Sequence, residues 1–357
     1  MKNIAILTIN DNLNIGNRLQ NYATQVFLES LGYNVVTIQN LKNYYNGNYK
    51  YILIKKIKNL IKRISINKVY KRYTNFIKFN KNINWSKYFI DSAHIPNDLN
   101  DKYDYFIIGS DQVWNYRFER ATNIDFLTFA DKGKRISFSA SFGVSEIPKE
   151  LKEYYSRNLK EMYKISVREE RGKEIIQELT NRRDVVVLLD PTMLIPVESW
   201  ENVMKKPKIL NYIHGKKYIL NYFLGELSES RRKEIERIAR KNDCEIINIM
   251  DKNDPFYIYG PSEFLYLEKN AYLVCTDSFH SAVFAILFNR PFVVFDREDS
   301  NAKMNSRLDT LLSKFGLKER WIKDKIDDSL LYSNYNIEKV IEIEKNKAKK
   351  FIREAIQ

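Results

Sequence analysis

Apolar residues in this chain fall into short unbroken runs separated by stretches with helical spacing. Ile4–Ile9 is one such run and predicts a buried strand. From Asn17 to Leu31, residues Leu19, Tyr22, Ala23, Val26 and Phe27 recur on one helical face, and Gly32 supplies a natural stop. Asn34–Gln39 predicts the next strand, so the opening reads as a right-handed βαβ unit with parallel strands. The alternation resumes with strands at Tyr105–Ile108, Arg135–Ser141, Lys164–Val167 and Val185–Leu189, and a helix near Pro148–Tyr163. After a polar, weakly periodic stretch at 192–215 it begins again. Strands are expected at Lys217–Tyr222, Glu245–Ile249, Ala271–Cys275 and Phe292–Phe295. Helices are expected at Ser228–Lys241, Pro261–Lys269, from Ala282 to Phe288, and at Asn305–Phe315.

This pattern predicts an α/β protein of two similar halves: a first domain at 1–195, a second at 196–335, and a C-terminal helix at 336–357 that crosses back onto the first. Strand–helix alternation implies mainly parallel sheets. Two such halves facing each other imply a ligand cleft between them.

Between the second and third strands, Leu53, Ile54, Ile57, Leu60, Ile61 and Ile64 repeat at helical spacing, with Lys55, Lys56, Lys58, Lys62 and Arg63 in the remaining places. This predicts a basic amphipathic helix within an insertion at about 50–81. Two readings stand: an excursion packed on its own domain, or adhesion to an anionic membrane surface. The whole chain carries a formal net charge of +14 with a pI near 9.4. From Ser30 to Ile90 there is no acidic residue at all. No nucleic-acid motif accompanies the charge. The apolar runs are shorter than the ~18 residues of a spanning helix, and the first is too short for a secretory core. Two cysteines give neither a disulfide framework nor a metal cluster, so a cytoplasmic chain without metal or cofactor is expected, at most peripheral at the inner face of a membrane.

Chemistry concentrates at Thr276-Asp277-Ser278-Phe279-His280-Ser281, where a buried strand turns into an apolar helix. That edge is where open α/β sheets bind ligands, and His280 is one of only three histidines. Other polar turns follow other strands: Gly16-Asn17-Arg18-Leu19-Gln20-Asn21-Tyr22-Ala23, Ile108-Gly109-Ser110-Asp111-Gln112-Val113-Trp114-Asn115, and Ser139-Ala140-Ser141-Phe142-Gly143. Asp190-Pro191-Thr192 and Gly260-Pro261-Ser262-Glu263-Phe264 complete the set with Arg290-Pro291-Phe292.

In this order the motifs resemble the polysaccharide pyruvyl transferase family over roughly residues 1–320. The resemblance implies two Rossmann-like domains in a GT-B-like arrangement. It implies transfer of pyruvyl from phosphoenolpyruvate to two hydroxyls of a cell-surface glycan sugar, often on a lipid-linked precursor. Phosphoenolpyruvate is then a donor substrate and no cofactor is needed. Ser278 stands where several family members carry arginine, and Ser281 where many carry glycine. A glycosyltransferase using a nucleotide sugar and a non-catalytic glycan- or membrane-binding relative therefore remain open beside it.

For ketal formation from an enol phosphate, an imidazole suits the proton transfers, and His280 is expected to make them with Asp277. Arg168, at the carboxyl edge of a strand and in a Val-Arg-Glu context common in the family, is expected to grip phosphate or carboxylate. Ser278, Ser281 and Arg297 are assigned to the donor. Asn17, Arg18 and Gln20 open a helix whose N-terminus favours anions. With Ser110, Asp111, Trp114 and Ser141 they are assigned to the acceptor, Trp114 as a stacking face.

Overall fold

The computed structural model describes residues 1–10, 13–40, 68–118, 121–213, 215–298, 306–332 and 335–357. Its first sheet holds β1 (Asn3–Leu7), β2 (Asn34–Asn40), β3 (Trp85–Ile90), β4 (Tyr105–Ile108), β5 (Arg135–Ala140), β6 (Lys164–Val167) and β7 (Val186–Val187). The second holds β8 (Lys217–Tyr222), β9 (Cys244–Asn248), β10 (Leu273–Thr276), β11 (Phe292–Phe295) and β12 (Trp321–Ile322). Around them lie α1 (Ile15–Glu29), α2 (Lys68–Phe79), α3 (Leu99–Lys102), α4 (Lys149–Lys160), α5 (Glu170–Thr180) and α6 (Val197–Glu201). The second half adds α7 (Glu229–Lys241), α8 (Pro261–Asn270), α9 (Phe279–Leu287), α10 (Ser306–Phe315) and α11 (Glu338–Ala355).

Both sheets are wholly parallel, in the orders β3-β2-β1-β4-β5-β6-β7 and β12-β11-β10-β8-β9. Each order reverses once. The chain leaves β1 for β2 and β3, then returns to the far side of β1 as β4. It leaves β8 for β9, then returns to the far side of β8 as β10. At such a reversal the loops on the carboxyl edge diverge and open a crevice. The fold therefore has two built-in crevices, at β1/β4 and at β8/β10.

Parallel strands are covered on both faces, which is why the strand sequences are continuous apolar runs rather than alternating ones. Ile4 and Ile6 point into one cluster with α1, while Ala5 and Leu7 point into another with Phe106, Ile108 and Trp114. The first cluster does not stop at the domain border. Trp200 of α6 packs against Tyr22 of α1, ring centroids 5.5 Å apart, and against Phe284 of α9 at 5.0 Å. The base of the cleft is thus one continuous apolar core.

Two helices brace the halves from outside. The predicted helix at 53–64 lies outside the described residues, but the rest of the insertion contains α2. Helix α2 buries Arg72, Phe76 and Phe79. The Arg72 guanidinium donates to the carbonyls of Ile249, Tyr257 and Tyr259 at 2.8–3.2 Å. Lys68 donates to the carbonyls of Lys252, Asn253 and Asp254. An insertion in the first sheet therefore clasps a loop of the second domain. In the other direction, Lys347 of α11 reaches the Val187 carbonyl of β7 at 2.7 Å.

The hydrophobic pattern does not announce β3 and β12. β3 mixes exposed Lys87 and Phe89 with buried Ser86 and Ile90 along an edge, and β12 is two residues long.

Candidate active site

The two crevices face each other. Ile9, Asn14, Gly16 and Asn17 follow β1; Asp111 and Gln112 follow β4; Tyr222 and Leu224 end or follow β8; Ser278, Phe279 and His280 follow β10. All of them line one cleft of about 350 Å³, together with Arg297 and Arg307. Local sequence sets the walls. Asn14 caps α1, its side chain accepting from the Asn17 amide at 3.2 Å. Gly16 lets His280 come close: a Cβ there would lie 2.2 Å from His280 Nδ1. Thr276 holds the opposite turn, its hydroxyl accepting from the Ser278 amide at 2.9 Å and donating to the Tyr222 carbonyl at 2.7 Å. The imidazole of His280 enters the cleft from the first turn of α9.

Behind His280 lies a buried carboxylate. Asp190 Oδ1 accepts from the Thr192 amide and hydroxyl at 3.0 and 2.7 Å. Its Oδ2 accepts from Ser110 Oγ at 2.8 Å and from Arg168 Nη1 at 2.6 Å, and lies 3.7 Å from His280 Nε2. Burial works against its charge, but the His280 imidazole and the Arg168 guanidinium more than offset this. They hold the Asp190 carboxyl well below the ordinary carboxylate range.

This arrangement corrects the expectation for Arg168. Its side chain is 1% exposed and does not line the cleft. One Nη grips Asp190, the other lies 3.6 Å from Asp111 Oδ1, and the guanidinium stacks on the Phe279 ring at 4.3 Å. Burial opposes its charge, yet Asp190, Asp111 and Glu169 raise its pKa above the ordinary arginine value. Its charge is committed to internal carboxylates, so it positions the site from behind.

The cations on the wall are two others. Arg297 pairs with Asp277, Nε to Oδ2 3.3 Å, and keeps its side chain 14% exposed. Arg307, on the first turn of α10, was not anticipated. It is buried, its Nε has no hydrogen-bond partner among the described residues, and its pKa is pushed down to about 10. Burial is the main cause and the nearby Arg168 charge the second. It remains charged at neutral pH but lacks a full counter-charge, the condition an anionic ligand relieves. The sequence does carry a signal for it: a guanidinium opening the helix that follows β11.

Other expected residues are placed nearby without reaching the cleft. Asp277 accepts from the amides of Leu224 and Gly225 at 2.7 and 2.8 Å, so both oxygens hold the loop after β8 rather than standing free for proton transfer. Ser281, within α9, is buried and donates to Glu268, whose own carboxyl burial pushes well above the ordinary range. Trp114 cannot stack on a sugar: its ring is fully buried against Phe126 and Phe142, and its indole N–H donates to the Asp125 carbonyl. Ser141 donates to Glu169. Gln20 bridges Thr8 and the Ser110 amide, and Arg18 is buried with Nη2 on the Ile9 carbonyl. Ser110 is spent on Ser139 and Asp190. Of the assigned acceptor residues, Asn17 and Asp111 do line the cleft and are hydrogen-bonded to each other.

The family model for polysaccharide pyruvyl transferase matches residues 14–300, most of the chain and every residue lining the cleft except Ile9 and Arg307. The chain belongs to the polysaccharide pyruvyl transferase family. No curated protein matches it in sequence. Among solved structures, UDP-GlcNAc 2-epimerase of Methanocaldococcus jannaschii is similar with a TM-score of 0.53 and 14% identity, over 99% of both chains. A putative UDP-N-acetylglucosamine 2-epimerase of Listeria monocytogenes is similar at 0.50 and 14%, over 99% of this chain and 91% of that one. These likenesses establish the fold as GT-B-like. Among the described residues no helix is long and apolar enough to cross a membrane.

Within this pyruvyl transferase family member, the Ser278 position acquires a geometric meaning. Ser278 is the N-cap of α9 and lines the cleft with Arg297 and Arg307. A positive charge missing from one wall position is present on two others.

Proposed function

We propose that this protein transfers the pyruvyl group of phosphoenolpyruvate to a sugar of a cell-surface glycan or its lipid-linked precursor, forming a cyclic ketal. One observation carries the reading: a cleft between two switch points that sets an imidazole beside two arginines and a helix N-terminus. A small anion bearing both phosphate and carboxylate suits that wall. Arg307 and Arg297 hold the two anionic groups, and Ser278 and the first amides of α9 supply hydrogen-bond donors. His280 moves the protons. The donor's methylene carbon takes up one proton and becomes a methyl group. One sugar hydroxyl bonds to the adjacent carbon, the phosphate oxygen leaves that carbon, and the second hydroxyl closes the ring. The two hydroxyls release two protons; one ends on the methyl group and the other leaves with phosphate. Asp190 stays ionised and steadies an imidazolium as it forms, with Arg168 fixing the carboxylate from behind.

Calorimetry with phosphoenolpyruvate tests the donor half, and phosphate release in the presence of glycan acceptors tests the whole. Arg307→Ala is expected to weaken donor binding by ~10-fold or more. His280→Gln is expected to lower turnover by ~10²-fold or more while leaving donor binding largely intact. Absence of phosphoenolpyruvate binding, with saturable binding of a nucleoside diphosphate, would move the chain to the nucleotide-sugar glycosyltransferase class. Attachment to an anionic membrane is a separate part of the proposal. In the described part of the basic segment, Lys71, Lys78 and Lys81 are exposed on and after α2. Sedimentation with phosphatidylglycerol vesicles, and its loss on reversing these charges, is the check.

A further inference from the structure

Residues 221–225 alternate between two cavities. Tyr222 and Leu224 line the active-site cleft. Asn221, Phe223 and Gly225 line a second cavity of about 330 Å³ beyond the ends of β8 and β9. The wall between the two is a single segment of chain, and Asp277 holds it by the amides of Leu224 and Gly225. A side chain at 225 would collide with Arg297, its Cβ 2.8 Å from Cγ, so glycine lets the segment lie flat against the active-site wall.

The two cavities differ in charge. The cleft collects Arg297, Arg307 and His280 against Asp111. The second cavity sets one cation, Arg232, against Glu236 and Asp251, with the amides of Asn221 and Asn248 and the ring of Phe223. Asn221 is 4% exposed; its amide donates to Asn248 Oδ1 at 2.9 Å, but its own side-chain oxygen has no partner among the described residues. A buried acceptor without a donor costs stability until one arrives. A surplus of carboxylates disfavours a phosphate there. Amides, mixed charges and an aromatic ring instead match a neutral polyhydroxyl ligand, and the volume lies within the range of small-molecule sites, about 300–1,000 Å³.

We infer that this second cavity binds a further sugar unit of the acceptor glycan, not the one that receives pyruvyl in the cleft, with the 221–225 segment between the two sites. The assignment to an acceptor rests on the pyruvyl-transfer reading; the carbohydrate site itself does not. The test is saturation-transfer NMR on the full chain. Its probes are methyl β-D-galactopyranoside, methyl β-D-glucopyranoside, and the methyl β-glycosides of N-acetylglucosamine and N-acetylmannosamine. At least one of the four is expected to give signals. Glu236→Trp, at a part-exposed position of α7, fills the cavity without touching the core. It should remove those signals while changing phosphoenolpyruvate affinity by less than about twofold. Arg307→Ala should do the reverse. No signal from any of the four probes, signals that survive Glu236→Trp, or displacement of the glycoside by uridine diphosphate overturns the inference. If glycoside signals respond to Glu236→Trp but phosphoenolpyruvate does not bind, the donor reading falls and the carbohydrate site stands.

Discussion

Replacing Gly16 with alanine adds one methyl group at the place where the two halves of the site meet. An ideal Cβ at 16 lies 2.2 Å from His280 Nδ1 and 2.8 Å from Cε1. Ordinary contact begins at 3.4 Å, so about 1.2 Å of separation has to be found. Helix α1 is fixed by a continuous apolar core, and the imidazole is backed by Asp190, so the side chain is the part that yields. A displacement of ~1 Å in a reacting group costs on the order of 10²-fold in rate, or about 2.7 kcal/mol of transition-state stabilisation. Stability moves much less, because alanine improves helix propensity by ~1 kcal/mol over glycine and offsets part of the strain. The assay pairs phosphate release with ¹H–¹⁵N spectra of the three histidines. The expected result is a ~10²-fold loss of turnover, a melting temperature within a few degrees, and a shifted His280 resonance with the others unmoved. Turnover and His280 resonance both unchanged would refute the close approach and the role built on it.

Three further outcomes follow from buried titratable groups. The Asp190 carboxyl releases its proton at lower pH folded than unfolded. Its stabilisation is therefore complete above the unfolded value of about 3.9 and is lost as pH falls below it; Asp190→Asn should flatten that acid limb in urea titrations run between pH 5 and 3. Arg72→Ala leaves the carbonyls of Ile249, Tyr257 and Tyr259 without their donor and should cost ~2–4 kcal/mol by chemical denaturation; a loss below ~0.5 kcal/mol would show that water replaces the guanidinium freely. Burial pushes the Cys275 thiol far up, and it has no exposed surface, whereas Cys244 is part-exposed. A thiol reagent at neutral pH should label Cys244 alone until the protein unfolds, as mass spectrometry of the peptides will show.

Much of this was legible in the chain because parallel strands buried on both faces write themselves as apolar runs. Ile4–Leu7, Phe292–Phe295 and Leu273–Thr276 are such cases. β3 was not legible because Ser86 and Lys87 interrupt its apolar residues, and at a sheet edge even Phe89 is exposed, so no buried run forms. At the site, the turn carrying Ser278 and His280 was found because a polar hexapeptide between two apolar elements is conspicuous. The arginines were harder. Arg168 and Arg307 are the same residue type, each beside a strand edge or helix start. What separates them is their surroundings: Arg168 is paired with Asp190 beside Asp111, while Arg307 forms no ion pair among the described residues and Asp111 and Glu169 only partly offset its burial. That allocation of counter-charge comes from residues 20 to 200 positions away and has no local pattern. Trp114 failed for a related reason. It stands in a polar motif between Gln112 and Asn115, yet the rings of Phe126 and Phe142, remote in sequence, pack against it and bury it.

The clasp formed by α2 bears on how the protein works as a machine. Two-domain proteins with modest interfaces ordinarily rock about a hinge, and catalytic clefts often open and shut with each turnover. Here one half reaches across to grip a loop of the other, and the last helix of the chain reaches back. Swinging the halves apart means breaking three guanidinium–carbonyl bonds at Arg72 before any cleft is gained. Substrate entry and product exit are then the work of small segments around a stationary frame, and scattering profiles recorded with and without donor should superimpose.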